Sequence, residues 1–194
     1  DEWLTPANIP YLFLSSRVSE RPVPFITSDD FQIGYQGTQY LINKGHRQIG
    51  LAATDLESLI GQMRVAGYRK AMTENQLPLD PHWIDDGEFT YEDGARAMRS
   101  YAKMAVTAAV ASSDLAAIGM LNQAADLKIK VPSDFAIVSV DGTNLCSIVR
   151  PKLTSVTQSF YQMGATGLQP LLSPRLKQFK SSYTPIQIDE RQSS

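Results

Sequence analysis

Polar or aromatic side chains stand where several predicted strands of this chain end. In the clearest case, AIVSVDGT (136–143), a run of strand-forming residues stops at Asp141 and Gly142. Asp-Gly is a common way to end a strand, which makes Asp141 a turn residue. Ligand crevices in open α/β sheets also lie at the carboxyl ends of the strands, which makes it a binding group. Taken alone, the segment leaves both interpretations open.

Five further residues have positions of the same kind. Arg64 interrupts a mostly apolar helix face, four residues before Tyr68. The others follow or end predicted strands: Ser15, Asp29, Phe89 and Ser113. Carboxylates and guanidinium groups form charge-assisted hydrogen bonds with hydroxyl groups, and an aromatic ring packs against the CH groups of a sugar. Each residue alone has a structural interpretation as a cap, a turn or a core residue. Because these residues share one edge of the predicted sheet, we expect a site for a polyhydroxylated ligand there.

We find no sequence motif for catalysis or for a bound cofactor. The chain lacks the glycine patterns of dinucleotide and phosphate loops and the Gly-x-Ser-x-Gly turn of hydrolases. His46 and His82 are isolated from any spacing that would bind zinc. The paired carboxylates at 29–30, 85–86 and 92–93 are typical of helix caps and solvated turns. The sequence therefore predicts no enzyme, no metal site and no cofactor.

The composition limits which classes of partner the chain can bind and in which cellular compartment it is expected. Eighteen basic and 20 acidic residues give a formal charge of −2, without the basic excess of a nucleic-acid binding module, so this chain is not expected to hold DNA by itself. No apolar run approaches the roughly 20 residues of a membrane span, and residues 1–10 do not form a signal peptide. The single Cys146 excludes an internal disulfide and is compatible with the reducing cytoplasm.

Strand patterns and helix patterns alternate along the chain. Strands are predicted at 11–14, 23–28, 47–53, 83–89, 107–112, 135–140 and 184–189. Helices are predicted at 32–44, 59–75, 90–104, from Ser113 or Asp114 to about Leu127, and at 159–172. This alternation is typical of βαβ units, so we expect an α/β fold with parallel sheets and helices on both faces.

A set of motifs then indicates a family. The segments SDDFQIGYQGTQYLINKGHRQIGL, RVAGYRKAM, DGEFTYEDGARAM, AAVASSDLAAIGML, KVPSDFAIVSVDGT and RPKLTSVTQSFYQMG occur in this order between about Ile9 and Gly167. In order and spacing they resemble the ligand-binding core of the lactose/galactose-repressor (LacI/GalR) family of bacterial transcription regulators. The ordered set is highly specific, although single segments such as GHRQI would be weak alone.

The resemblance implies a fold of two lobes. It is the periplasmic-binding-protein-like type I fold, with crossovers expected near Ser28–Asp29, Thr157–Phe160 and Lys180–Tyr183. Residues 1–28 and 159–181 would form an incomplete N-terminal lobe, and residues 29–157 and 182–194 a C-terminal lobe. The family's helix-turn-helix is absent from this sequence. Pro170 lies inside the expected helix 159–172, where a proline should break or kink it.

The resemblance also implies residue roles. Effector contacts carry over to Arg64, Phe89, Ser113, Asp141 and Phe160. Ser113 stands where family members often have Asn or Asp, and Ser15 where others have Asp or Arg, so the identity of the sugar stays open.

The expected function is that of an effector-binding and dimerisation core of a cytoplasmic, sugar-responsive repressor. A small sugar would bind between the lobes, and a homodimer would read operator DNA through the missing helix-turn-helix. The alternative is the sugar-binding protein of an ABC transporter, which shares the fold. The sequence does not show whether a phosphocarrier protein is a partner, as it is for some family members.

Overall fold

A computed structural model describes residues 11–16, 23–172 and 179–194. The described residues form two compact units. The smaller unit comprises the described residues up to Asp29 together with those of Gln158–Ile186, and the larger unit comprises Asp30–Thr157 and Gln187–Ser194. No helix in the described ranges is long and apolar enough to cross a membrane.

Strands and helices alternate through most of the described chain. The strands are β1 (Phe13–Leu14), β2 (Phe25–Ser28), β3 (Ile49–Thr54), β4 (Ile84–Asp86), β5 (Ala108–Ala111), β6 (Ala136–Asp141), β7 (Thr154–Gln158), β8 (Ser182–Thr184) and β9 (Ile186–Asp189). The helices are α1 (Asp30–Asn43), α2 (Leu59–Glu74), α3 (Tyr91–Tyr101), α4 (Asp114–Asp126), α5 (Leu145–Ile148) and α6 (Phe160–Leu171), and a short 3₁₀ turn spans Pro81–Trp83.

The sheet of the larger unit has the strand order β4-β3-β5-β6-β7-β9. The pairs from β4 through β7 are parallel. Strands β3 and β5 are buried along their whole length, as expected of parallel strands that helices cover on both faces. The α/β prediction is therefore confirmed, and the carboxyl ends of the parallel strands meet at one edge.

Glycines let neighbouring helices of the larger unit approach very closely. A Cβ atom on Gly34 of α1 would lie 2.1 Å from the carbonyl oxygen of Arg64, and one on Gly67 of α2 would lie 2.0 Å from that of Phe31. Helices α3 and α4 meet in the same way through Gly94 and Gly119. Because no larger side chain fits at these contacts, the glycines determine how the helix pairs carry their polar residues to the sheet edge.

The smaller unit contains a parallel sheet with the order β1-β2-β8 among its described strands. Helix α6 packs on this sheet close to Leu14, which a Cβ atom on Gly167 would approach to 2.7 Å. The helix continues through Pro170 to Leu171, so the break expected at this proline does not occur. Pro170 lies in the last turn of the helix, where a proline removes a single backbone donor.

The C-terminal part differs from the pattern expected from sequence. The predicted strand 184–189 is two strands, because Pro185 separates β8 of the smaller unit from β9 of the larger sheet. The third division between the units consequently follows Ile186 instead of falling at Lys180–Tyr183. Strand β7 was not predicted, since its sequence TSVTQ alternates weakly.

Candidate functional site

Three residues with positive φ mark the carboxyl edge of the larger sheet. Ala53 near the end of β3 has φ 54°, Phe89 after β4 has φ 64°, and Asp141 at the end of β6 has φ 108°. Such backbone conformations are costly for residues other than glycine and cluster at functional sites. Two other residues of this unit with positive φ, Gln76 and Lys128, follow helices, where this conformation is ordinary.

Arg64 is a buried cation at this edge, with 6% of its surface exposed. Its Nε donates to Oδ1 of Asp30 at 3.0 Å, and its Nη1 donates to the carbonyl oxygen of Ser112 at 2.6 Å. The third nitrogen, Nη2, donates to no residue within the described part of the chain. The guanidinium is therefore fixed on two sides, and the two N–H groups of Nη2 can donate to a ligand.

The ring of Phe89 lies beside this guanidinium. The Arg64 Cζ atom is 5.5 Å from the ring centroid, within the range of a cation–π contact. The carbonyl oxygen of Phe89 accepts a hydrogen bond from the Ser113 hydroxyl at 2.6 Å. The structure thus brings Arg64, Phe89 and Ser113 together, as the sequence predicts for a shared site.

Ser113 has a structural task in this cluster. It is the N-cap of α4, and its Oγ accepts from the backbone N–H of Ala116 at 3.0 Å while donating to Phe89. The hydroxyl proton is therefore occupied, and only a second lone pair is left to accept a hydrogen bond from a ligand. Helix capping and the placement of Phe89 account for a serine at this position.

Asp141 ends β6 and pairs in register with Thr157 of β7. The next residue, Gly142, has φ 74°, and a Cβ atom there would lie 2.2 Å from the Thr157 hydroxyl oxygen. Only glycine fits this turn. The two interpretations of the VDGT segment are therefore compatible, because Gly142 makes the turn while Asp141 carries its carboxylate at the strand end.

Three predicted site residues belong to the smaller unit. Ser15 follows β1 with φ 56°, and its backbone N–H donates to the carbonyl oxygen of Ile26 at 2.9 Å. Asp29 follows β2 and is partly buried. Phe160 is the first residue of α6 and is 43% exposed.

Asp114 is a buried residue of the site edge whose role the sequence did not show. Its carboxylate accepts from the backbone N–H and the hydroxyl of Thr143, both at 2.7 Å, from the Ser139 hydroxyl at 2.6 Å, and from the Cys146 thiol at 3.0 Å. Burial raises the pKa of that thiol to about 11. Asp114 therefore fixes the loop that follows Asp141. Its place beside Ser113 suggested only a helix cap.

Comparisons with known proteins agree with this architecture. A family model described as a periplasmic binding protein-like domain matches residues 38–194. Catabolite control protein A of Priestia megaterium is 33% identical over 199 residues, covering 100% of this chain and 60% of that protein. The chain thus spans about 60% of the length of this relative.

Two solved structures are similar over nearly the whole chain. A transcription regulator from Lactobacillus plantarum has a TM-score of 0.93 and 43% identity, covering 100% of this chain and 75% of that one. The transcriptional regulator CelR in complex with cellobiose has a TM-score of 0.90 and 29% identity, covering 98% of this chain and 61% of that one. These proteins are transcription regulators, which disfavours the transporter alternative. The chain belongs to the periplasmic-binding-protein-like family and, within it, represents the effector-binding core of the LacI/GalR family of transcription regulators.

Proposed function

We propose that this chain binds a small sugar or sugar derivative as the effector of a transcriptional repressor. The observation that carries the proposal is the pairing of Arg64 with Phe89 at the strand edge that also holds Asp141. Arg64 Nη2 is a donor for a hydroxyl group, Asp141 is an acceptor, and the Phe89 ring offers a flat apolar face for sugar CH groups. The cellobiose complex of CelR supports a sugar as the ligand class.

The two units would act as the two lobes of an effector-binding core. In this proposal Ser15, Asp29 and Phe160 contribute from the smaller unit, which corresponds to part of the N-terminal lobe. Residues 30–157 and 187–194 correspond to the C-terminal lobe. A ligand shifts a conformational equilibrium only if its affinity differs between the two states.

Regulation would follow from that shift in a homodimer. Effector binding would change the spacing of helix-turn-helix domains and thereby their affinity for operator DNA in the cytoplasm. Leu115 and Ile148 are exposed by 52% and 68%, and Asp114 links their helices by accepting from Cys146. In this proposal both side chains contact the second copy, and Leu115→Asp should lower the sedimentation coefficient from that of a dimer to that of a monomer.

A calorimetric screen tests the proposed function. The complete regulator is titrated with cellobiose, ribose, galactose and lactose, and operator binding is measured by gel shift with and without each sugar. We expect one class of sugar to bind and to change operator affinity. A functional operator-binding protein that binds none of a broad panel of sugars would contradict the proposal.

A further inference from the structure

The carboxylate of Asp93 holds both residues that flank Phe89. Its Oδ2 accepts a hydrogen bond from the backbone N–H of Glu88 at 2.9 Å and another from the hydroxyl of Thr90 at 2.6 Å. The Ser113 hydroxyl holds the carbonyl oxygen of Phe89 itself. Every residue of this short segment is therefore fixed by a side chain of α3 or by the cap of α4.

Arg96 in turn fixes the carboxylate. Its Nη1 pairs with Oδ1 of Asp93, and its Nη2 donates to the carbonyl oxygen of Asp86 and, at 3.0 Å, to Oδ2 of Asp85. Oδ2 of Asp85 also accepts from the backbone N–H of Ala53 at 3.3 Å. This network joins the ends of β3 and β4 to the first turns of α3.

The contacts of Asp93 differ from those of an ordinary capping box. Thr90 is the N-cap of α3, and the backbone N–H of Asp93 donates to its hydroxyl at 3.2 Å. In a capping box the acidic side chain returns to the backbone N–H of the cap residue itself. Here it reaches past Thr90 and Phe89 to the N–H of Glu88. Helix capping alone does not explain this longer reach.

The longer reach has a consequence for Phe89. A phenylalanine with φ 64° is strained, and such a conformation persists only where the surroundings over-determine it. The loop also passes directly against the carboxylate, since a Cβ atom on Gly87 would lie 2.8 Å from Asp93 Cγ. The direction of the Phe89 ring, and so its contact with Arg64, depends on this backbone conformation.

We propose that Asp93 is a positioning residue of the candidate site, which holds the Phe89 ring against Arg64 by fixing the residues on either side of it. Its value for ligand binding rests on the proposed function. The positioning itself is a property of the chain without ligand, so the two are tested separately.

The ligand-free test follows the Arg64 Nε–H resonance by NMR in the whole protein with labelled arginine. Phe89→Leu gives the position of this resonance without the ring. Asp93→Ala should move the resonance toward that position, and Asp93→Asn, which keeps one acceptor and the shape, should move it less. Glu92→Ala removes an exposed carboxylate from the same helix turn and should leave the resonance in place.

The inference is overturned if Asp93→Ala and Asp93→Asn both leave the Arg64 resonance at its wild-type position. If Asp93→Ala does not fold, Asp93→Asn alone decides by the same criterion.

The ligand test uses the sugar of the calorimetric panel with the lowest Kd. Asp93→Ala should weaken its binding by about tenfold in the wild-type background, which is the size of effect that a displaced cation–π partner and ring wall can cause. In the Phe89→Leu background the same change should weaken binding no further, because both substitutions remove the same contact. Equal losses in the two backgrounds would contradict a role through Phe89.

If no sugar binds the wild type, the proposed function fails, and the NMR result still decides the positioning.

Discussion

The guanidinium of Arg64 and the ring of Phe89 form a contact of 5.5 Å at the carboxyl edge of the larger sheet. Hydrogen bonds fix both partners. Arg64 donates to Asp30 and to the Ser112 carbonyl oxygen, and the Phe89 carbonyl oxygen accepts from the Ser113 hydroxyl. Because the cation and the ring are preorganised, they lose little conformational entropy when a ligand binds.

Removing the Arg64 side chain should destabilise the larger unit. Arg64→Ala removes the cation from its ion pair with the Asp30 carboxylate, whose side chain is 11% exposed. Loss of one partner of a buried ion pair costs about 3 kcal/mol or more in the free energy of unfolding. Urea denaturation measures this change.

The control comes from the same helix. Lys70→Ala breaks the exposed pair with Glu74 and should leave the urea midpoint close to that of the wild type. A similar, small loss for both variants would show that the Arg64–Asp30 pair is not buried in solution.

The turn after Asp141 should tolerate only glycine. Gly142→Ala places a methyl group against the Thr157 hydroxyl at a φ of 74°, and we expect a loss of more than about 1 kcal/mol in unfolding free energy. Gly164→Ala is the matched change in an exposed helical position with open space, and it should stabilise by about 0.5–1 kcal/mol. Thermal unfolding of both variants checks the prediction, which fails if Gly142→Ala is neutral.

His46 should make stability depend on pH. Burial lowers the pKa of His46 below its ordinary value of 6.5, and the neighbouring Arg47 lowers it further. The folded protein therefore binds this proton less readily than the unfolded chain. The contribution to stability is complete above pH 6.5 and is lost as the pH falls below 6.5 through the folded pKa.

The variant His46→Gln should accordingly lose less stability than the wild type between about pH 7.5 and 5.5 in denaturation experiments. His82→Gln, which changes an exposed histidine, is the control variant. An unchanged pH dependence in His46→Gln would refute the assignment to His46.

The regular parts of the larger unit could be predicted because each has a local signal. Short apolar runs bounded by turn residues predicted β3, β5 and β6, apolar spacing predicted helices α1 and α2, and N-cap residues predicted α3 and α4. Strand β7 lacks such a signal, since Thr154 and Ser155 are polar but buried. Hydrogen bonds from the Arg191 backbone N–H to Thr154 Oγ1 and from Ser155 Oγ to the Ser139 carbonyl oxygen compensate this burial, and these partners are distant in sequence.

The candidate site was predictable to a similar degree. Strand ends place Phe89, Ser113 and Asp141 at one edge, which the α/β pattern implies. The pattern does not show which hydrogen bonds each side chain makes. The Ser113 hydroxyl donates a hydrogen bond to the Phe89 carbonyl oxygen, and the Asp114 carboxylate fixes the loop after Asp141. Both contacts form only in the folded chain, so the sequence pattern does not show them.

The most direct test of the account is the affinity of Asp141→Asn for the effector sugar, measured by calorimetry in the complete regulator. The substitution keeps the size of the side chain but removes the charge that strengthens its hydrogen bonds to hydroxyl groups. Asp126→Asn, an exposed change at the end of α4, is the control. We expect Asp141→Asn to weaken binding by about tenfold or more, with Asp126→Asn equal to wild type. A wild-type affinity in Asp141→Asn, with the protein folded, would contradict the proposed sugar site.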